Sequence, residues 1–185
     1  MRLSLSIRSV DGMDGLGFFN AGRIAGASQP RKHTQVIPRA ALAAQTGTGA
    51  DGRAALPVER VLLPDVERLA RAGGGVGRCA ALPFAHAIAP VPAELRAGAA
   101  AGPPLRAICG ALMTGAGVAA GQDHNLLMTR EWMMIVPRRR EAWCGVAVNG
   151  VGFAGFLLAR GESGDAMADA GPMAALRAVV EGSAD

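Results

Sequence analysis

Cysteine, histidine and aromatic residues are scarce in this sequence. Its 185 residues include three cysteines, three histidines and no tyrosine, and only 4% are aromatic. Cys79, Cys109 and Cys144 lie far apart and lack the Cys-x-x-Cys or Cys/His spacing of a zinc site. We therefore expect no disulfide framework and no cysteine-based metal centre, and predict three small core residues in a reduced, cytoplasmic protein.

Long apolar runs are also missing. The N-terminal segment Met1–Val10 has too few apolar residues for a signal peptide. The most membrane-like stretch, Cys144–Ala159, is shorter than a membrane span, carries Asn149 and contains four glycines. The sequence therefore predicts buried strands and a turn there, and no membrane partner.

Charge is modest, with a formal net charge of +4 and charged residues at 18%. The one basic cluster, Arg138-Arg139-Arg140, has no interleaved aromatic residues, which disfavours a nucleic-acid surface. It is predicted to be a solvated loop after a strand, although Arg138 is also a candidate to reach a phosphate. Half of the residues are hydrophobic, enough for a sizeable core.

Hydrophobic periodicity predicts an α+β fold, an antiparallel sheet with flanking helices. Predicted strands cover residues 16–20, 33–38, 84–88, 125–129 and 132–136, with a further pair, 143–148 and 153–160, turning at Asn149-Gly150. Predicted helices cover 57–72, 103–119 and 165–180, the first starting anew at Pro64 and the last interrupted at Gly171-Pro172. The Gly/Ala/Thr-rich stretch Ala41–Ala54 is predicted to be an exposed linker.

The segment Gly26–Pro38 carries the clearest chemical signal. Small residues and glycine, which let backbone approach a phosphate, are followed by the cation Lys32. His33 and Gln35 are two residues apart where a strand begins, so their side chains should project from one face. This pattern suits a histidine that attacks phosphorus beside an amide that holds a phosphate oxygen.

Three blocks extend that signal along the chain. They are residues 17–20 followed by 26–35, residues 82–86, and residues 124–138 continuing into 148–155. In their order and spacing, from about Val10 to Val180, they resemble the ATP adenylyltransferases, also called diadenosine tetraphosphate phosphorylases, of the histidine-triad-like superfamily. The resemblance implies a histidine-triad-like sheet and a nucleotidyltransferase.

The resemblance also implies site residues. The family uses a His-x-His-x-Gln core whose second histidine becomes covalently nucleotidylated, so His33 would be the nucleophile and Gln35 would hold the reacting phosphate. Further substrate-binding positions would be Asn20, Gly26, Ala27, Ser28, Gln29, Asn149, Gly150 and Val151, with Phe156 and Arg160 at two more. No protein-bound metal is expected, although Mg²⁺ could accompany the nucleotide.

Two departures from the family pattern stand out. The first histidine of the core is Arg31 here, and that histidine supports the reaction without attacking. Family members also have a longer region before the Phe18-Phe19-Asn20 block. The expected organisation is a remnant of the catalytic half at 1–40, a linker at 41–56 and a C-terminal ATP adenylyltransferase domain at 57–185, so the sheet would be incomplete at its N-terminus.

The implied partners are diadenosine tetraphosphate, ATP, ADP and phosphate, with the oligomeric state open. Three alternatives remain: a histidine-triad-like hydrolase that uses water as the second acceptor, an inactive nucleotide-binding fragment, and, more distantly, a nucleic-acid-binding protein.

Several other residues carry mainly structural expectations. His86 is predicted to be a structural histidine and His124 an incidental exposed one. Asn125 would cap the hairpin, stay buried with hydrogen bonds, or contact a ligand. Trp132 and Phe153 are predicted to pack in the core and not to stack on a base.

Overall fold

A five-stranded antiparallel sheet lies at the centre of the computed structural model, which describes residues 14–29, 33–46, 56–95 and 102–182. Its strands are β1 (Gly15–Ala21), β2 (Thr34–Pro38), β3 (Ala87–Pro90), β4 (His124–Met128) and β5 (Trp132–Pro137). They lie in the order β2-β1-β4-β5-β3, and every neighbouring pair is antiparallel. This confirms the predicted α+β class and the predicted β4–β5 hairpin.

Six helices flank the sheet in the described part of the chain: α1 (Arg39–Thr46), α2 (Glu59–Arg71), α3 (Gly102–Gly115), α4 (Gly150–Phe153), α5 (Glu162–Ala170) and α6 (Pro172–Glu181). Short additions are a 3₁₀ turn, Ala93–Leu95, and a ribbon of β6 (Ala142–Trp143) and β7 (Val146–Ala147). Helix α1 corrects the expectation of an exposed linker from Ala41, because Leu42 is buried against the core. Strands from both sides of that stretch pair in one sheet; the domain division itself stays a prediction.

Alternation along the strands produces two hydrophobic cores, one on each face of the sheet. We call the first the α2 face; its members include Leu16, Leu62, Leu127, Trp132 and Val179. The second, the α3 face, includes Phe19, Leu105, Leu112, Leu126 and Ile135. Each such side chain contributes about 1.5–3 kcal/mol when fully buried, so both faces stabilise the sheet that carries the site.

A buried carboxylate fastens the helices to the α2 face. Glu59 is fully buried and accepts hydrogen bonds from Arg39 Nη1 at 3.0 Å, Leu56 N at 3.2 Å and Trp132 Nε1 at 3.1 Å. These donors satisfy the charge that burial would otherwise make costly. The contact links α1, α2 and β5, and it places Trp132 in the core, as predicted.

Two local predictions are wrong. Pro64 lies inside a continuous α2 and does not begin a new segment. Proline removes the donor that would bond the carbonyl of Arg60, and Arg60 is exposed, so solvent can reach that carbonyl. Asn149-Gly150 is not a hairpin turn. Asn149 instead caps α4, and its side chain accepts a hydrogen bond from Val151 N at 3.0 Å. Asparagine followed by glycine suits either role.

Candidate active site

His33 and Gln35 lie together at the start of β2. The Nε2 atoms of the two side chains are 2.9 Å apart, which confirms that both project from one face. An amide nitrogen can only donate, so a hydrogen bond at this contact requires Nε2 of His33 to accept and the ring proton to be on Nδ1. This neutral tautomer is the nucleophilic form of imidazole. The neighbouring residues 30–32, including Arg31 and Lys32, fall outside the described chain.

The strand register shows which face this pair occupies. Gln35 pairs with Phe18 of β1, and paired residues of antiparallel strands share a face. A Cβ atom built on Gly150 would lie 3.3 Å from the Phe18 ring, so α4 covers this part of the sheet. His33 and Gln35 therefore belong to the α2 face, close to α4.

The loop between β1 and β2 contains the predicted phosphate-binding residues. Two of its N–H groups are used within the loop: Gly26 N donates to Arg23 O at 2.8 Å, and Ala27 N donates to Gly22 O at 3.1 Å. The N–H groups of Ser28 and Gln29 have no acceptor in the described part of the chain. Of the four predicted residues, Gly26–Gln29, these are the two whose N–H groups are available to a phosphate in the described structure.

The Asn149–Val151 turn packs directly against that loop. Gly26 has a φ of +85°, and a Cβ atom there would lie 2.7 Å from Asn149 Cβ. Glycine is thus required at this position by both conformation and space. The close approach brings together two segments that are more than a hundred residues apart in the sequence.

Asn20 joins the same two segments. Its Oδ1 accepts hydrogen bonds from Asn125 Nδ2 at 2.8 Å and from Gly150 N at 2.9 Å, while its Nδ2 donates to Gly26 O at 3.3 Å. In the described structure one amide N–H of Asn20 is left for a ligand. Asn20 can therefore offer a nucleotide one N–H donor, fewer groups than an asparagine without these hydrogen bonds.

The two remaining predicted positions lie further along the chain. Phe156 is half-buried against the α2-face core, and its N–H donates to Val151 O at 3.3 Å. Arg160 is exposed. Phe156 thus contacts the Asn149–Val151 turn, whereas no contact in the described structure ties Arg160 to that turn or to the Gly22–Gln29 loop.

A cavity of about 570 Å³ opens on the α3 side of the same loop. Of the predicted residues, Asn20, Ala27, Ser28 and Gln29 line it, together with Phe19 and Met113 from the α3-face core; His33 is not among the lining residues. The Gly22–Gln29 loop therefore borders both faces, with the His33–Gln35 pair on one side and the cavity on the other.

Among the cavity residues that sequence reasoning missed is the polar run that leads into β4, Gln122, Asp123 and His124. Asp123 Oδ2 accepts a hydrogen bond from Ile24 N at 2.8 Å, which fixes the loop from the cavity side. His124 Nδ1 lies 3.0 Å from Gln122 O. The prediction of an exposed His124 is wrong, because His124 lies within β4 on the α3 face. The polar residues just before this strand were the sequence signal that could have indicated the cavity.

Arg138 also departs from its predicted position. It is only 2% exposed, and its guanidinium donates to Asn125 Oδ1 and to three backbone carbonyls. Burial lowers the pKa of Arg138 to about 10, so it remains a cation at neutral pH. Its guanidinium also lies 5.5 Å from the centre of the Phe153 ring, a residue that packs in the core as predicted.

Comparison with protein-family models identifies the family to which this chain belongs. A family model described as the ATP adenylyltransferase C-terminal domain matches residues 80–181, more than half of the chain. The chain belongs to the ATP adenylyltransferase family. A second model, the Ap4A phosphorylase N-terminal domain, matches residues 3–63. The family assignment made from the three sequence blocks is confirmed, whereas no curated protein matches the sequence.

Solved structures support the histidine-triad-like fold of this ATP adenylyltransferase family member. It is similar to yeast Ap4A phosphorylase Apa2 in complex with Ap4A, at a TM-score of 0.61 and 19% identity over 90% of this chain. The Apa2 complex with AMP and another Apa2 structure give TM-scores of 0.55 and 0.54, at 20% and 17% identity over 88% and 90% of this chain. The chain spans 57%, 54% and 56% of the three yeast chains.

Two other features concern metals and membranes. Among the described residues, no group of three or more His, Cys, Asp or Glu side chains is arranged to hold a metal ion. None of the described helices has the length and apolar character that crossing a bilayer requires.

Proposed function

We propose that this chain carries the nucleotidyl-transfer site of a diadenosine tetraphosphate phosphorylase, which converts diadenosine tetraphosphate and phosphate into ATP and ADP. The observation that supports this most is the 2.9 Å contact between Gln35 and the Nε2 of His33. It joins the imidazole of His33 to the amide of Gln35, at the edge of a loop in which the N–H groups of Ser28 and Gln29 are available. The yeast relative was solved with Ap4A and with AMP, which fits this substrate class.

The first step of the proposed reaction forms a nucleotidyl-histidine. The lone pair of His33 Nε2 attacks the α-phosphorus; the P–N bond forms as the P–O bond to the leaving ATP breaks. Gln35 must swing its amide from the imidazole to a phosphate oxygen, which both releases the nucleophile and stabilises charge on phosphorus. The proton on Nδ1 stays in place and fixes the tautomer.

The second step transfers the nucleotidyl group to phosphate. An oxygen of inorganic phosphate attacks the same phosphorus, the P–N bond breaks, and ADP leaves with neutral His33 regenerated. The N–H groups of Ser28 and Gln29 would bind phosphate oxygens in both steps, from the loop that borders the cavity. Mg²⁺, where it is needed, would arrive bound to the polyphosphate.

Products distinguish this proposal from hydrolysis. The protein is incubated with diadenosine tetraphosphate, with and without inorganic phosphate, and the nucleotides are separated. Phosphorolysis predicts ATP and ADP that depend on phosphate, whereas hydrolysis predicts ATP and AMP without it. Binding of the substrate with no turnover would instead favour the inactive nucleotide-binding fragment, and would contradict the proposed activity of this chain.

A further inference from the structure

We propose that Arg138 is a positioning residue of the candidate site: from inside the core it holds the Gly22–Gln29 loop and the Asn149–Val151 turn together and places positive charge beneath them. The sequence offered Arg138 only as a candidate for direct phosphate contact, not as a residue that positions other parts of the site. The proposal deepens the proposed function and rests on it only for the identity of the ligand.

A relay of short hydrogen bonds connects Arg138 to the loop. Its Nη1 donates to Asn125 Oδ1 at 2.7 Å, and Asn125 Nδ2 donates both to Asn20 Oδ1 and to Ala25 O, each at 2.8 Å. Asn125 is fully buried. Because Arg138 can only donate, it forces the oxygen of the Asn125 amide towards itself and the NH₂ towards Asn20 and Ala25. Arg138 thus sets the orientation that the loop requires.

The same guanidinium holds the turn from its other end. Arg138 Nη1 also donates to Val148 O at 2.8 Å, immediately before Asn149, while Asn20 accepts from Gly150 N at 2.9 Å. The turn is therefore fixed on both sides of Asn149 by one connected network. Gly26 packs against Asn149 within this frame, so a shift of Arg138 would displace both segments.

Arg138 also brings a positive charge, which Asp123 and Glu141 offset in part from a distance. Its four hydrogen-bond acceptors are the Asn125 amide and the carbonyls of Val148, Arg140 and Glu141, and its Nε has no partner in the described structure. No described carboxylate lies within salt-bridge distance of it. Stability alone is often served as well by an apolar side chain at such a position. A buried cation behind an anion-binding loop, in contrast, favours phosphate binding.

The geometric half of the proposal is tested on the free protein by hydrogen exchange. Three variants are compared. Arg138→Met loses the guanidinium donors and the charge, Arg138→Lys keeps the charge but loses the guanidinium, and Arg139→Met is a control at the adjacent exposed residue. In Arg138→Met and Arg138→Lys, we expect the amides of Gly26, Ala27 and Gly150 to exchange about tenfold faster or more. Unchanged protection in folded Arg138→Met would overturn the proposal.

The charge is tested by comparing affinities for ATP and adenosine. A merely structural defect would lower the affinities for both ligands equally. Loss of the charge in Arg138→Met should instead lower the affinity for ATP about tenfold more than the affinity for adenosine. Arg138→Lys should recover that preference for ATP without recovering the loop protection, and Arg139→Met should behave as the unmodified protein. An equal loss for both ligands in Arg138→Met would refute the electrostatic role.

Two outcomes need separate treatment. If the unmodified protein binds neither ATP nor adenosine, the proposed function fails, while hydrogen exchange still decides the role of Arg138. If Arg138→Met does not fold, Asn20→Ala cuts the same relay near the surface, where the residue is half-buried. The relay then predicts faster exchange at Gly26 and Gly150 in a folded protein, and unchanged exchange there would overturn it.

Discussion

The side-chain amide of Gln35 contacts the imidazole of His33: the amide nitrogen lies 2.9 Å from Nε2 of the ring. The nitrogen proposed to attack phosphorus thus contacts the group proposed to bind the phosphate. In the proposed reaction, substrate would exchange this contact for two others, one between imidazole and phosphorus and one between amide and phosphate oxygen. Binding of the phosphate would then free the nucleophile.

Replacing Gln35 tests this exchange. Gln35→Met keeps the length of the side chain but removes the amide donor, so transition-state charge on phosphorus loses a hydrogen bond. We expect kcat for nucleotidyl transfer to fall by roughly 10²–10³-fold. Because Gln35 is exposed, the melting temperature should not change. An unaltered kcat, measured by initial rates of ATP release, would rule out the assigned role.

Gly26→Ala tests the contact between the loop and the Asn149 turn. The added Cβ meets a φ of +85° and Asn149 Cβ at 2.7 Å, so it must displace one of the two segments. The left-handed conformation alone costs roughly 1–2 kcal/mol, and the clash should make the loss of unfolding free energy larger. Nucleotide affinity should fall as well.

Gly73→Ala is the matched control for that experiment. Gly73 has a φ of +91°, but a Cβ atom added there would meet nothing within 4 Å. It should therefore lose only the conformational part of the stability and keep nucleotide affinity. If the two variants have equal stability and equal nucleotide affinity, the close approach of Gly26 to Asn149 does not contribute to either property.

His86 predicts a pH dependence of stability. Its Nε2 accepts from Cys79 N at 2.9 Å and its Nδ1 donates to Phe84 O at 2.8 Å, so the buried ring is neutral. Burial lowers the pKa of His86 below its usual value of 6.5. The unfolded chain then takes up a proton first, so stability is present above pH 6.5 and is lost as pH falls below it.

The measurement is the melting temperature between pH 7.5 and pH 5, for the unmodified protein and for His86→Gln. At pH 7.5 the variant should be less stable by about 1–3 kcal/mol, because buried hydrogen bonds are lost. The difference should shrink as the pH falls, since only the unmodified protein carries the histidine penalty. A difference independent of pH would show that His86 does not titrate differently on folding.

The sheet and the His33–Gln35 pair could be predicted because their signals are local. Alternation placed β1, β2 and the β4–β5 hairpin, and a spacing of two residues placed both side chains on one face. Arg138 could not be predicted in this way. A run of three arginines is normally expected to be exposed to solvent. Arg138 can be buried because Asn125 and Val148, which lie in other parts of the fold, accept hydrogen bonds from its guanidinium.

Ambiguous local signals account for the other errors. Asn149-Gly150 suits a hairpin turn and a helix cap equally well, and packing against Gly26 selects the cap. His124 looked incidental because the cavity beside it is completed by the Gly22–Gln29 loop, about a hundred residues earlier in the sequence. The roles of Ser28, Gln29 and Arg160 remain predictions about ligand contacts.

The most direct test of the central claim is to look for a nucleotidyl group on His33. The protein is incubated with diadenosine tetraphosphate without phosphate, and its peptides are examined by mass spectrometry, with His33→Gln as the control. We predict an adenylyl group on His33 that disappears as ADP when phosphate is added, and none in the variant. Turnover without any adenylylated histidine, or undiminished turnover by His33→Gln, would contradict the account.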